Sequence, residues 1–394
     1  MTYLSILKNL QSNALSLADL QAMTNVSLPT LRKSVQELTA GRWIRVIGQS
    51  EANGGRPAML FGLDSRYFAL LGVHLQLPGM RMILTDLNGD VLDEREAHTQ
   101  TQPTPDEALQ AIINYAEDVR SRFAERKILG AGIASPGFTH PETGEIIRVG
   151  RVAGWDNFPI CQRLSAALDI PVQIANDVDC MAFAEFRATK RSFADNLAYI
   201  GFDEGVKISM FLNGELYKGF FGNAGLISSR LLNVPDGALT AEEQSRVMTL
   251  SGINQLFEQK VTALPADKRE IYAAILAANY RRRPQLILAR AGDGLPVCRE
   301  IVLMLKQVLA TAIANVIHTI QPDLIVVGGL LSALPAPSFA GLEATIRDLL
   351  PDLFANHARI EQSRTYTHNS AAQGANYHFM ENYLLREPFN PVMP

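Results

Sequence analysis

The sequence predicts an α/β protein with a small N-terminal helical head and a larger body in two lobes. Three observations carry this expectation. Short amphipathic helix signals fill residues 4–38, apolar strand signals alternate with helix signals from residue 69 onward, and strong turn signals stand at Asn88-Gly89 and Asn213-Gly214.

The head is the most local reading. Leu4, Leu7 and Leu10 recur at three-residue spacing, as one face of a short helix does. Ser16 is a good N-cap for a second helix carrying Leu17, Leu20 and Met23. Thr24-Asn25-Val26-Ser27 forms a polar turn, and Pro29 falls in the first turn of a third helix, where a missing N–H does no harm. There Leu31, Val35 and Leu38 face inward, which leaves Thr30, Arg32, Lys33 and Gln36 outward. A helix, a tight turn and a second helix with basic and amide side chains outward is the helix-turn-helix pattern. Its second helix enters the major groove of double-stranded DNA. Gly41 ends that helix, residues 43–47 and 59–61 read as strands, and the loop 53–57 between them carries Arg56. This is a β-wing placed to reach a minor groove, so the expected head is a winged helix-turn-helix over residues 1–65. The expected DNA contacts are Thr30, Arg32, Lys33, Gln36 and Arg56. The competing reading is a small helical dimerisation unit whose Arg32, Lys33 and Arg56 form a solvated face.

Charge agrees with a DNA partner. Residues 1–62 hold six Lys and Arg against three acids, a net of +3, while the chain holds 36 against 40, a net of −4. The remainder therefore carries −7. A +3 module binds phosphate weakly at physiological salt, so a homodimer or homotetramer is expected. No run of about 18 uninterrupted apolar residues and no signal-peptide pattern occurs, which predicts no membrane association and a cytoplasmic location. Cys161, Cys180 and Cys298 form no CxxC pair and read as buried thiols.

In the body, residues 69–75 and 80–86 are strand candidates, with a tight turn at Leu87-Asn88-Gly89-Asp90. Residues 107–122 are an amphipathic helix, and 128–134 a buried strand closed by Ser135-Pro136-Gly137. Residues 170–175 run into Asn176-Asp177; 197–200 and 208–212 are further strands, 297–320 a long helix, and 324–327 a strand ending at Gly328-Gly329. The expected division is a first lobe over 66–190, with 370–394 a candidate to complete it, and a second lobe over 191–369 bearing the dimerisation surface.

In their order and spacing, several of these segments resemble the ROK family of bacterial sugar repressors and sugar kinases. They are residues 130–137, Gly154-Trp155, Asn176-Asp177, residues 213–217, Ala224-Gly225 and residues 322–329. The resemblance runs over nearly the whole chain, and the winged head matches the family's repressor branch. It implies a two-lobed actin- and hexokinase-like (ribonuclease H-like) body. It also implies a sugar or sugar-phosphate effector near Asn176, Asp177, Gly137 and Trp155.

Departures from the kinase pattern are equally informative. Where the resemblance implies a first phosphate turn, this chain reads His74-Leu75-Gln76-Leu77-Pro78; where it implies a second, it reads Asp203-Glu204-Gly205-Val206-Lys207. Pro78 cannot donate an N–H, and two carboxylates would repel a polyphosphate. Leu226 and Ser229 stand where the family has a Glu and a zinc-ligating His, and no Cys follows before Cys298, so neither zinc nor a cofactor is expected. The resemblance implies that Asp177 stands where the family's kinases hold their general base, but here no catalytic residue is expected. Asn176 and Asp177 read either as ligand hydrogen-bonders or as the cap of a helix beginning near Val178, and Trp155 either as cleft lining or as buried core. The function expected is a DNA-binding regulator with a non-catalytic sensing body; the alternative is a sugar kinase with an appended DNA-binding head.

Overall fold

The computed structural model describes the chain except residues 1, 12, 52–56, 78, 98–102, 151, 189–195, 221, 228–238, 387, 388 and 390–394. Its contacts divide it into two compact units, residues 1–190 with 368–394, and residues 191–367.

The first unit opens with α1 (Thr2–Leu10), α2 (Leu17–Thr24) and α3 (Leu28–Ala40), then the antiparallel pair β1 (Ile44–Gln49) and β2 (Met59–Leu63). Ser16 closes a capping box: its side chain accepts from the Asp19 N–H, and the Asp19 carboxylate accepts from the Ser16 N–H at 2.9 Å. The Ser16 hydroxyl, donating to the Asp19 carboxylate at 2.7 Å, and then the Ser16 N–H hold that carboxyl below its ordinary value. Asn25, left-handed at φ 53, turns the chain towards Ser27, whose side chain accepts from the Thr30 N–H and starts α3. The left-handed residue after α3 is Arg42 at φ 62, while Gly41 keeps an ordinary φ of −76.

Next come β3 (Phe68–Leu75), β4 (Met80–Thr85), β5 (Val91–Ala97), α4 (Pro105–Arg122), β6 (Lys127–Ser135), β7 (Phe138–His140), β8 (Glu145–Arg148), α5 (Ile160–Leu168), β9 (Val172–Asn176) and α6 (Asp177–Ala188). The sheet order is β5-β4-β3-β6-β9, and β3, β6 and β9 run parallel. β3 and β4 are buried throughout, and β6 for most of its length, which is why they read as near-continuous apolar runs. Leu71, Val73, Ala131 and Ile133 join one core with Ile112 of α4 and Leu164 of α5.

The second unit contains β10 (Leu197–Phe202), β11 (Val206–Leu212), β12 (Glu215–Leu216), α7 (Ala241–Val247), α8 (Leu250–Thr262), α9 (Ala266–Arg269), α10 (Ala273–Leu276), α11 (Arg282–Arg290), α12 (Pro296–Ile320), β13 (Leu324–Gly329), α13 (Ala336–Asp348), α14 (Asp352–His357) and β14 (Ile360–Gln362). Its sheet runs β12-β11-β10-β13-β14. Asn213 at φ 53 and Gly214 at φ 81 make the expected tight hairpin, since both central positions need positive φ. α12 is long and apolar enough to cross a membrane by composition, yet 67% of that stretch is buried as the core helix of this unit. The helices α7 to α11 had no counterpart in the sequence reading.

The chain then returns to the first unit as α15 (Ser370–Phe379), followed by a π-helical turn over Met380–Leu384. Small residues admit it: a Cβ at Gly132 would lie 2.1 Å from the Ala375 carbonyl oxygen, and one at Gly72 2.6 Å from that of Ala372. Beyond α15, Met380, Leu384 and Leu385 enter one core with Leu31, Leu38 and Trp43 of the N-terminal segment and Phe68 and Leu129 of the sheet. The Trp43 ring lies 4.6 Å from Phe68 and 5.1 Å from Phe389.

Candidate nucleic-acid interface and effector site

On α3, Leu31, Ser34, Val35 and Leu38 are buried, while Thr30, Arg32, Lys33 and Gln36 are all exposed. The four therefore share one outward face, reached from α2 through the capped turn at Ser27. Arg56 lies outside the described residues, as does most of its loop; β1 and β2 on either side of it are paired.

The second candidate site lies at the carboxyl ends of the parallel strands β3, β6 and β9, the edge where open α/β sheets bind ligands. Ser135 and Asn176 are register neighbours at the ends of β6 and β9. Asn176 donates through Nδ2 to the Gly137 carbonyl at 3.2 Å, and Gly137 turns at φ 77. The Val178 N–H donates to Asn176 Oδ1 at 3.0 Å and to Asp177 Oδ1 at 2.8 Å, so both side chains cap α6. An anionic carboxylate there also meets the positive end of the helix. Asn176 and Asp177 are 3% and 4% exposed. At the end of β3, a His74 ring nitrogen and an Asp177 carboxylate oxygen lie within 4.8 Å of each other, and Gln76 Nε2 is 3.3 Å from His74 Nδ1.

The structure thus brings Asn176, Asp177 and Gly137 together. Trp155 is placed differently: it is fully buried, its indole N–H donates to the Pro103 carbonyl at 3.3 Å, and its ring meets Phe158 edge-on. Sequence reasoning missed His74 and Gln76 as site residues, having read them only as part of an altered phosphate turn. The strand-end position of His74 was the available signal.

In the first of those turns, the Gln76 N–H is taken up by the Gly79 carbonyl at 3.1 Å. In the second, within the second unit, the Asp203 N–H goes to Gly205 and the Val206 N–H to Met248. The two carboxylates expected to repel phosphate are not free charges. Arg281 donates to Asp203 at 2.5 Å and to Glu204 at 2.5 Å, and Tyr280 donates to Glu204 at 3.2 Å. Burial pushes the Glu204 carboxyl up to about 8, against the opposing pull of Arg281. Burial disfavours the Arg281 cation, yet Asp203 and Glu204 carry it above its ordinary value. Arg281 is 78 residues from Asp203 in sequence, so no local signal pointed to it. The second turn therefore presents an ion-paired cluster in place of two bare carboxylates. Ser229 is outside the described residues, and Leu226 is 40% exposed.

Known proteins resemble this chain in sequence and in fold. The ROK family profile matches residues 71–237 and 262–382. The xylose repressor of Caldicellulosiruptor bescii is 22% identical over 340 residues, covering 84% of this chain and 83% of that protein. Transcriptional regulator Mb0495 of Mycobacterium bovis is 25% identical over 353 residues, 85% of this chain and 77% of the regulator. Among solved structures, a ROK family transcriptional regulator described as a homolog of the E. coli MLC protein superposes with a TM-score of 0.73 at 20% identity, over 95% of this chain and 94% of that one. A ROK family glucokinase from Streptomyces griseus, in complex with glucose and AMPPNP, gives 0.63 at 18% identity, over 78% and 97%. These likenesses give the body its actin- and hexokinase-like α/β fold. With the family profile spanning well over half of its residues, the chain belongs to the ROK family.

Proposed function

We propose that this chain is a DNA-binding transcriptional repressor of sugar-related genes, with a winged helix-turn-helix head and a body that senses a sugar or sugar phosphate without transforming it. The observation that carries the reading is the outward face of α3. Its Thr30, Arg32, Lys33 and Gln36 stand exposed above a buried Leu31, Val35 and Leu38, with a capped turn in front. The names of the relatives agree with it.

The sensing role is assigned to the strand ends holding Asn176, Asp177 and Gly137, where amide and carboxylate groups suit sugar hydroxyls. Turnover of ATP is disfavoured because the Gln76, Asp203 and Val206 N–H groups of the two turns are bonded within the chain and Arg281 is committed to Asp203 and Glu204. A cytoplasmic homodimer or homotetramer would present two recognition helices to half-sites about one helical turn apart, so a small change in their spacing releases DNA.

The test is fluorescence anisotropy of the purified protein on its own upstream DNA, with salt titrated. Specific binding should weaken as salt rises, and Arg32→Ala should cost about 1–3 kcal/mol of affinity. Arg56→Ala should weaken it too. Absent or salt-insensitive binding, unchanged by Arg32→Ala, would sink the reading. The kinase alternative is met by an ATP-hydrolysis assay with D-xylose or D-glucose: turnover that vanishes in Asp177→Asn would establish chemistry that this reading denies.

A further inference from the structure

We propose that Arg187 is the positioning residue that couples the Asn176–Asp177 site to the DNA-reading head, through α6 as a rigid rod. The proposal rests on the reading of that head as a DNA binder. α6 begins at Asp177, and every residue from Asp177 to Phe186 is buried. A twelve-residue helix is about 18 Å long, enough to carry a displacement from the strand ends to the base of the head.

At the far end of α6, Arg187 donates through Nη1 to Oε1 of Gln11, the residue after α1. Its guanidinium lies over the Tyr377 ring of α15, 4.7 Å from the centroid. The Glu381 carboxylate attracts Arg187 and pairs at 3.8 Å with Lys8 of α1. The base of the head is thus held by one half-buried cation from α6 and one carboxylate from the turn after α15.

Two features make this joint a transmitter. α6 and α15 are in backbone contact at Gly374, where a Cβ would sit 1.6 Å from the Cys180 carbonyl oxygen, so the two helices move together or not at all. The joint itself is incompletely bonded. Gln11 Nε2 is buried with no hydrogen-bond partner among the described residues. Buried unpaired donors cost free energy, so this contact is held less firmly than a fully satisfied one and opens for a small shift. The flat guanidinium bonds Gln11 and stacks on Tyr377 at once, which a lysine ammonium cannot do.

The test is a double-mutant cycle on affinity for the protein's own upstream DNA, using the full chain. Asp177→Asn removes the charge at the start of α6 with little change of size. In the parent it should shift Kd about five-fold or more, and in an Arg187→Met background less than about two-fold. Equal shifts in both backgrounds, or no shift in the parent, would overturn the coupling. Gln11→Ala cuts the same bond from the head side and should abolish the shift likewise, which keeps the test open if Arg187→Met fails to fold. Arg187→Lys should recover less than half of it. A parent without specific DNA binding would instead take down the reading of the head, and the coupling with it.

Discussion

At Gly374 there is no room for one more carbon. Alanine there would drive its Cβ into the Cys180 carbonyl, a backbone atom that cannot swing aside. Overpacking of this kind costs about 1–3 kcal/mol and sometimes more, so Gly374→Ala should lower Tm by several degrees. A calorimetric scan with unchanged Tm would contradict the packing described. Ser16→Ala should cost about 1 kcal/mol in urea unfolding through loss of its capping box. At this scale the outward residues of α3 were legible in the sequence, because one helical period decides which side chains face water. The role of Asn176 and Asp177 was not, since an amide or carboxylate that caps a helix and one that holds a sugar hydroxyl are the same chemical groups. The structure realises the cap, and the ligand role stands on the proposal. Arg281 was invisible because nothing local links it to a turn 78 residues away.

Single elements show a similar division. β3, β4 and β6 were legible as apolar runs, and the Asn213-Gly214 hairpin as a turn that demands two positive φ angles. α15 was not, because all ten of its residues but Gln373 are buried and it therefore lacks the apolar stripe by which a surface helix is recognised. The turn between β10 and β11 carries a pH prediction. The Glu204 carboxyl is raised from an ordinary 4.5 to about 8, so the folded chain holds a proton over that range that the unfolded chain has lost. Stability should therefore fall as pH rises from 4.5 towards 8, and the loss is complete above it. Glu204→Gln should flatten this part of the profile of Tm against pH; parallel profiles for parent and variant would exclude the assignment.

Over the whole molecule, the N-terminal segment is not a bead on a string. Its core is shared with Phe68 and Leu129 of the sheet and with Met380, Leu384 and Leu385 near the C-terminus. The chain has two tryptophans, Trp43 in that core and Trp155 in the sheet's other core. In a Trp155→Phe background, Leu384→Asp should therefore shift Trp43 emission to the red and expose residues 2–65 to protease, while the rest of the sheet stays protected. Unchanged emission would mean that the C-terminal turn contributes nothing to the head. The sequence reading named residues 370–394 as a candidate to complete the first lobe, but it could not foresee the shared core, because contacts between the two ends of a chain leave no periodic trace.

That shared core also sets an order of assembly. A ribosome delivers residues 2–65 long before the apolar side chains that close over them, Met380, Leu384 and Leu385. Until then Trp43 and Phe68 lack part of their cover, and the N-terminal segment waits unfinished through the synthesis of some 300 residues. A transcript cut short, or a nonsense change anywhere in the second unit, yields a chain whose head never closes. Loss of the C-terminal turn is thereby felt across the shared core: a truncated chain leaves Trp43 and Phe68 partly uncovered, and does not release an intact N-terminal segment.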